Sequence, residues 1–160
     1  MSTESDLTLD GIIDSHSAIE ATGDYVTTVR STMTKDCYQH HQTLGLRAVG
    51  ASAVIEYYRA LFGAVPDLRM EHQSRSYGDD KVFLEGCLAG TFDNAWLGIE
   101  PTHNRFNLWC VVRIEVRDRR LVGETLYYDP ISLCDQAGID FFHLRTAASS
   151  ETARLASIAN

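Results

Sequence analysis

Three side chains in this sequence combine a titratable group with a setting that could put it to work: Glu124, His41 and His16. Glu124 lies in the run Leu121-Val122-Gly123-Glu124-Thr125-Leu126-Tyr127-Tyr128-Asp129, where strand alternation gives it a common face with Val122, Leu126 and Tyr128. A carboxylate among apolar neighbours is costly unless something uses it. Desolvation there favours the protonated acid, and a cationic histidine nearby would favour the carboxylate. The structural alternative is a hydrogen bond to a buried hydroxyl such as that of Tyr128.

His41 ends a polar run that reads as a strand near Asp36 to His41. A neutral imidazole can accept or donate a proton near neutral pH, which suits general acid-base work. Its neighbour His40 offers the competing register. Strand alternation puts the two rings on opposite faces, so they are not set up to share a metal ion. His16 falls on the apolar stripe of Leu9, Ile12, Ile13 and Ile19, where a histidine is either a core group bonded to a neighbour or a functional donor.

Phe62, Trp96, Phe92 and Tyr128 could line a pocket for an aromatic or polycyclic ligand, or simply fill core. The four cysteines, Cys37, Cys87, Cys110 and Cys134, have no C-x-x-C spacing and read as small buried thiols in a reducing compartment. Cys110 is the one candidate nucleophile, because it shares an inner strand face with Val112. There is no G-x-S-x-G elbow, no lysine-bearing phosphate loop and no H-E-x-x-H or C-x-x-C ligand set, so a cofactor-free and metal-free acid-base mechanism is expected.

The elements that must position these groups are legible from periodicity. From Arg105 to Arg117 the even positions Phe106, Leu108, Cys110, Val112, Ile114 and Val116 are apolar and the odd ones mostly polar, which makes a strand with one buried face. Asp118-Arg119-Arg120 turns the chain into the strand that carries Glu124. Two further strands flank Gly78-Asp79-Asp80, the second from Lys81 to Thr91. Helices are expected from Thr8 to the Gly23-Asp24 turn, from Asp24 to Thr34, after Gly50 with Val54, Tyr57, Tyr58 and Leu61 inward, and from Asp129-Pro130 towards Gly138. Residues 42–50 read as loop, as do 93–104, and residues 1–6 as a frayed lead.

Helices first and strands later argue for an α+β domain. A chain of 160 residues with 44% hydrophobic content fits one domain, 1–145, followed by an Ala/Ser/Thr-rich tail, 146–160, expected as a loosely attached helix or a disordered segment. The formal charge of -8 opposes binding to nucleic acid or an anionic membrane surface. With no signal-like start and no long apolar run, a cytoplasmic location is expected. Trp109 and Val111, on the polar face of their strand, suggest a homodimer formed through the sheet.

Taken in order, Gly23-Asp24, Gly50 before Ala51-Ser52-Ala53-Val54-Ile55-Glu56-Tyr57-Tyr58, Pro66-Asp67-Leu68-Arg69, Gly90-Thr91, Leu97-Gly98-Ile99-Glu100-Pro101-Thr102 and Glu124 to Asp129 resemble the polyketide-cyclase (SnoaL-like) branch of the nuclear-transport-factor-two-like superfamily. The resemblance covers roughly residues 9–140. It implies a cone-shaped, curved antiparallel sheet wrapped over N-terminal helices and enclosing one apolar pocket. Carried across residue by residue, it puts His16 at a pocket tyrosine of the isomerase relatives and His41 at their general base. Val112 stands where they have a second oxyanion donor, and Leu126 where the ring-closing cyclases have their acid. Glu124, two residues earlier with the same parity, could present a substitute carboxyl group.

The resemblance therefore implies an enzyme without cofactor, acting on a hydrophobic carbonyl-bearing or polycyclic metabolite of secondary metabolism in a cyclisation, isomerisation or dehydration. His41 is expected as base, Glu124 as acid or orienting partner and His16 as donor to an oxyanion. Tyr128, Cys110, Val112, Leu126, Trp96, Phe62 and His40 are expected to meet the substrate. A non-catalytic binding or accessory protein is the alternative, and epoxide opening by water a third.

Overall fold

The computed structural model describes residues 8–158; the expected lead at 1–6 lies outside them. Five helices, α1 (Leu9–Glu20), α2 (Tyr25–Thr32), α3 (Ala51–Ala64), α4 (Pro130–Ala137) and α5 (Phe141–Ala156), accompany six strands. The strands are β1 (Met33–His41), β2 (Leu46–Val49), β3 (Arg69–Tyr77), β4 (Lys81–Thr91), β5 (Arg105–Arg117) and β6 (Arg120–Tyr128). They form one sheet in the order β2-β1-β6-β5-β4-β3. The sheet is antiparallel except between β1 and β6, which run parallel and set Gln39 beside Glu124 and His41 beside Leu126.

The inner face of β5 is the one that alternation predicts: Phe106, Leu108, Cys110, Val112, Ile114 and Val116 are all buried. At the hairpin, Asp118 (φ 50°) and Arg119 (φ 61°) both take the left-handed conformation that a two-residue turn matched to strand twist requires. Strand β6 departs from simple alternation. Gly123 pairs with Glu115 and Leu121 with Val116, so Val122 is an extra residue, a bulge. Leu121, with 0% exposure, takes the inner position that parity assigns to Val122, while Glu124, Leu126 and Tyr128 stay inward.

Two segments differ from expectation. Residues 46–49 are not loop but a short strand on the edge of β1, with Leu46 and Ala48 buried. The Ala/Ser/Thr-rich tail is the body of α5, and residue 145 falls inside that helix. Leu144, Ala148 and Leu155 are buried, and the Thr152 hydroxyl accepts from the Arg47 amide at 3.0 Å and lies 3.1 Å from the Gly45 carbonyl. The segment adheres because Leu144, Ala148 and Leu155 fall on one helical stripe, whereas Phe142 in the first turn is exposed. Among the described residues no helix is long and apolar enough to cross a membrane.

Helix α3 lies across β1 and carries Tyr57 and Tyr58 into the concave side of the sheet, both nearly inaccessible to solvent. Its start needs Gly50, whose φ of 90° is a conformation that L side chains rarely adopt. Helix α1 is capped by Thr8, and α2 by Asp24, which accepts from the Thr27 amide; the two pack together and place His16 over the end of α2.

Candidate active site

Two adjoining cavities lie between the sheet and α3. The first, about 50 Å³, is apolar apart from His41 and the Tyr128 hydroxyl, with Trp96, Phe92 and Phe106 in its wall. The second, about 140 Å³, is lined by Glu20, Gln39, Tyr57, Tyr58, Phe62 and Glu124 among others. Leu61, Leu68, Leu88 and Leu126 line both, so the partition between them is made of aliphatic side chains alone.

His41 is 3% exposed and held at both ring nitrogens: Nδ1 lies 2.7 Å from the Tyr128 hydroxyl and Nε2 2.5 Å from that of Tyr57. Burial is the main cause that drives its pKa down to about 3, with the charge of His40 adding to it. The ring is neutral at physiological pH, with one nitrogen donating and the other accepting. Burial likewise pushes both tyrosines up, so they are neutral hydroxyls. Both nitrogens being taken, His41 does not present a free lone pair to either cavity, which bears directly on the expectation that it is the base.

Glu124 belongs to a different group. Its Oε2 accepts from the Gln39 side-chain amide at 2.6 Å and from the Tyr58 hydroxyl at 3.2 Å, so Oε1 is the oxygen left to meet a ligand. Burial raises its pKa above the ordinary carboxylate range, against the pull of His16. His16, 2% exposed, has Nδ1 2.6 Å from the Thr32 hydroxyl, while Nε2 faces Glu20 at 3.4 Å and the Tyr58 hydroxyl at 3.4 Å. Burial opposes its charged form, but Glu20 and Glu124 together outweigh that and raise its pKa. The structure thus joins Glu124 to His16 through Tyr58, whereas His41 is tied to Tyr57 and Tyr128. Ligand atoms of His16, Glu20 and Glu124 come within 4.8 Å of one another, the one group among the described residues with metal-ligand chemistry at that spacing.

The other expected site residues divide clearly. Tyr128, Trp96, Leu126, Phe62 and Val112 line a cavity. His40 does not reach one: it lies on the opposite sheet face from His41, paired in register with Arg47 on β2. Burial, Arg47 and Arg113 depress its pKa. Cys110 is fully buried and lines neither cavity, and burial lifts its thiol to about 11, which removes the thiolate a nucleophile needs. His103 and His143 are exposed. The residues that sequence reasoning passed over are Gln39, Tyr57, Tyr58 and Glu20. Gln39 shares the parity of His41, and Glu20 is one helical turn from His16, so both signals were present in the spacing.

This architecture, a curved sheet closed by helices over a pocket that mixes tyrosines with buried acid-base groups, defines the nuclear-transport-factor-two-like class. The sequence pattern of the SnoaL-like polyketide cyclases matches residues 17–137, and the chain belongs to that family. Among solved structures, it is similar to a protein from Jannaschia sp. CCS1, provisionally described as a SnoaL-like polyketide cyclase (19% identity, TM-score 0.65, covering 73% of this chain and 81% of that one). It also resembles IdmH from Streptomyces antibioticus, provisionally described as a polyketide cyclase (20%, 0.63, 81% and 98%). A third is a protein of ketosteroid isomerase-like fold from Catenulispora acidiphila DSM 44928, solved in complex with trimethylamine (16%, 0.66, 84% and 98%). No curated protein matches.

Proposed function

We propose that the chain is a cofactor-independent enzyme that enolises a hydrophobic carbonyl compound, as the first half of a cyclisation or isomerisation. Glu124 removes the proton α to the carbonyl with its free Oε1, and the electron pair of the broken C–H bond moves onto the carbonyl oxygen as an enolate. Tyr57 donates its hydroxyl proton in a hydrogen bond to that oxygen. The enolate carbon then attacks a second carbonyl, or is reprotonated elsewhere by the Glu124 acid.

One observation carries this reading: Glu124 and Tyr57 line the same cavity, and Tyr57 is backed by a neutral imidazole. Neutral His41 donates from one nitrogen only. Among the described residues each tyrosine hydroxyl has His41 as its one hydrogen-bonding partner, but Tyr128 faces the apolar cavity, where only Nδ1 can take its proton, while Tyr57 faces the cavity that holds Glu124. Nε2–H then donates to the Tyr57 oxygen, which leaves the Tyr57 proton for substrate. In this scheme His41 is a positioning residue rather than the base, and His16 holds the charge of the Glu20 and Glu124 pair. The apolar remainder of the substrate occupies the first cavity, displacing leucines of the partition.

The test is deuterium incorporation α to the carbonyl of β-tetralone in D2O, followed by proton NMR. Wild type should exceed buffer, and Glu124→Gln should not. A second reading, a non-catalytic binding protein, is favoured by the apolar Val112 and Leu126 at two positions where the family resemblance implies polar groups, and is consistent with the trimethylamine complex of the Catenulispora protein. Tight binding of β-tetralone without exchange would select it. Assembly as a homodimer through the outer sheet face, around Trp109, completes the proposal.

A further inference from the structure

We infer that the second cavity takes a ligand bearing a protonated or quaternary amine, with its positive charge set between the carboxylates of Glu20 and Glu124 and the rings of Tyr58 and Phe62. This extends the proposed enzyme's substrate class to amino-substituted carbonyl compounds; as a statement about binding it does not depend on Glu124 removing a proton.

The hydrogen-bond arrangement around His16 is short of positive charge. The Thr32 hydroxyl donates to the Thr28 carbonyl at 2.5 Å, so its oxygen can only accept from His16, and Nδ1 is the donor. Nε2 is thereby turned towards Glu20 and Tyr58. A proton on Nε2 faces Glu20 and the Tyr58 oxygen, while the donors to Glu124, the neutral Gln39 amide and the Tyr58 hydroxyl, both go to one of its oxygens. His16 itself stands behind the wall. What a ligand meets is two carboxylates and three aromatic rings, Tyr57, Tyr58 and Phe62. Among the described residues the one cation in the wall, Arg69, is ion-paired with Glu71 at 3.1 Å and more than half exposed. Carboxylates beside aromatic rings attract a cation, and partial burial strengthens both contributions.

The geometry suits a compact alkylammonium group. Phe62 is stacked on Tyr25 (centroids 5.3 Å apart, 10° between planes) and lies 5.8 Å from the Tyr58 ring, so the aromatic side is rigid. Glu20 is 25% exposed, which places it at the entrance, with Glu124 deeper. An amine held at Glu20 leaves the Glu124 Oε1 and the Tyr57 hydroxyl for a carbonyl farther in.

Calorimetric titration near neutral pH with choline and with neopentyl carbinol, its neutral carbon isostere, tests the inference. Choline should bind saturably and the isostere about tenfold more weakly or worse, a difference of about 1.4 kcal/mol. Glu20→Gln and Phe62→Leu should each weaken choline about tenfold while leaving the isostere unchanged, with unaltered circular dichroism showing that they fold. Glu56→Gln, on the far side of α3 and paired with Arg59, should bind choline as wild type does. Equal binding of choline and isostere, or full choline affinity in Glu20→Gln, would overturn the assignment. So would saturable binding of Mn2+ or Zn2+ with none of choline, which would make the cluster a metal centre instead. Choline binding and β-tetralone exchange are separate readouts, so either claim can fail alone.

Discussion

The hydroxyl of Tyr57 and Nε2 of His41 face each other at 2.5 Å, a contact between a helix and a strand that joins the two cavities at their back wall. Because His41 is neutral, this contact and its counterpart at Tyr128 fix the proton of one tyrosine and free that of the other. Tyr57→Phe should therefore lower β-tetralone exchange by about 10²-fold, in the range for loss of an oxyanion donor. His41→Phe should approach the same loss in kcat with little change in KM. The shape of the pH profile should survive in His41→Phe, since an imidazole with a pKa of about 3 does not titrate in the working range. A profile that loses a limb in His41→Phe would make His41 a titrating base after all.

The Glu124 and His16 shifts set a pH dependence of stability with a definite sign. Both folded-state pKa values are raised, so protonation is favoured by folding in each case. Their stabilisation is fully present below the ordinary values of 4.5 and 6.5 and is lost as pH rises through the raised ones. Thermal midpoints should fall as pH increases across that span. Glu20→Gln removes the carboxylate bonded to His16 and should flatten the upper part of the slope. A midpoint that rises across the same range would contradict the shifts.

Helix α5 should be integral to stability despite its composition. Leu155, 1% exposed, anchors the last turns, and Leu155→Ala should cost about 2–5 kcal/mol in urea unfolding. An unchanged midpoint would mean that the helix is only loosely attached.

Trp109 is 51% exposed on the outer face of β5. If that face is the homodimer contact, Trp109→Glu should shift sedimentation from dimer to monomer at micromolar concentration. Wild type sedimenting as a monomer would remove this part of the account.

Much of this fold is legible in the sequence because β5 alternates without interruption over thirteen residues and α3 keeps helical spacing throughout. What escapes is set by non-local pairing. The four residues of β2 are too few to show a period, and the parallel register of β1 on β6 joins segments 85 residues apart at Gln39 and Glu124. The bulge at Val122 breaks parity at one residue while leaving Glu124 inward. The site follows the same division: parity turns His41 inward, but its partners come from positions 16 and 87 residues away, so its hydrogen-bonded state belongs to the tertiary structure alone.

The central claim is that Glu124 takes a proton from carbon, and the pH dependence of β-tetralone deuterium exchange tests it most directly. Wild type should show a rate that falls as pH drops through a carboxyl pKa above the ordinary 4.5, because only the carboxylate can accept the proton. Glu124→Gln should fold, lose at least about 10²-fold in rate and lose that acidic limb. Exchange at the wild-type rate in Glu124→Gln, or an acidic limb that persists without the carboxylate, would contradict the account.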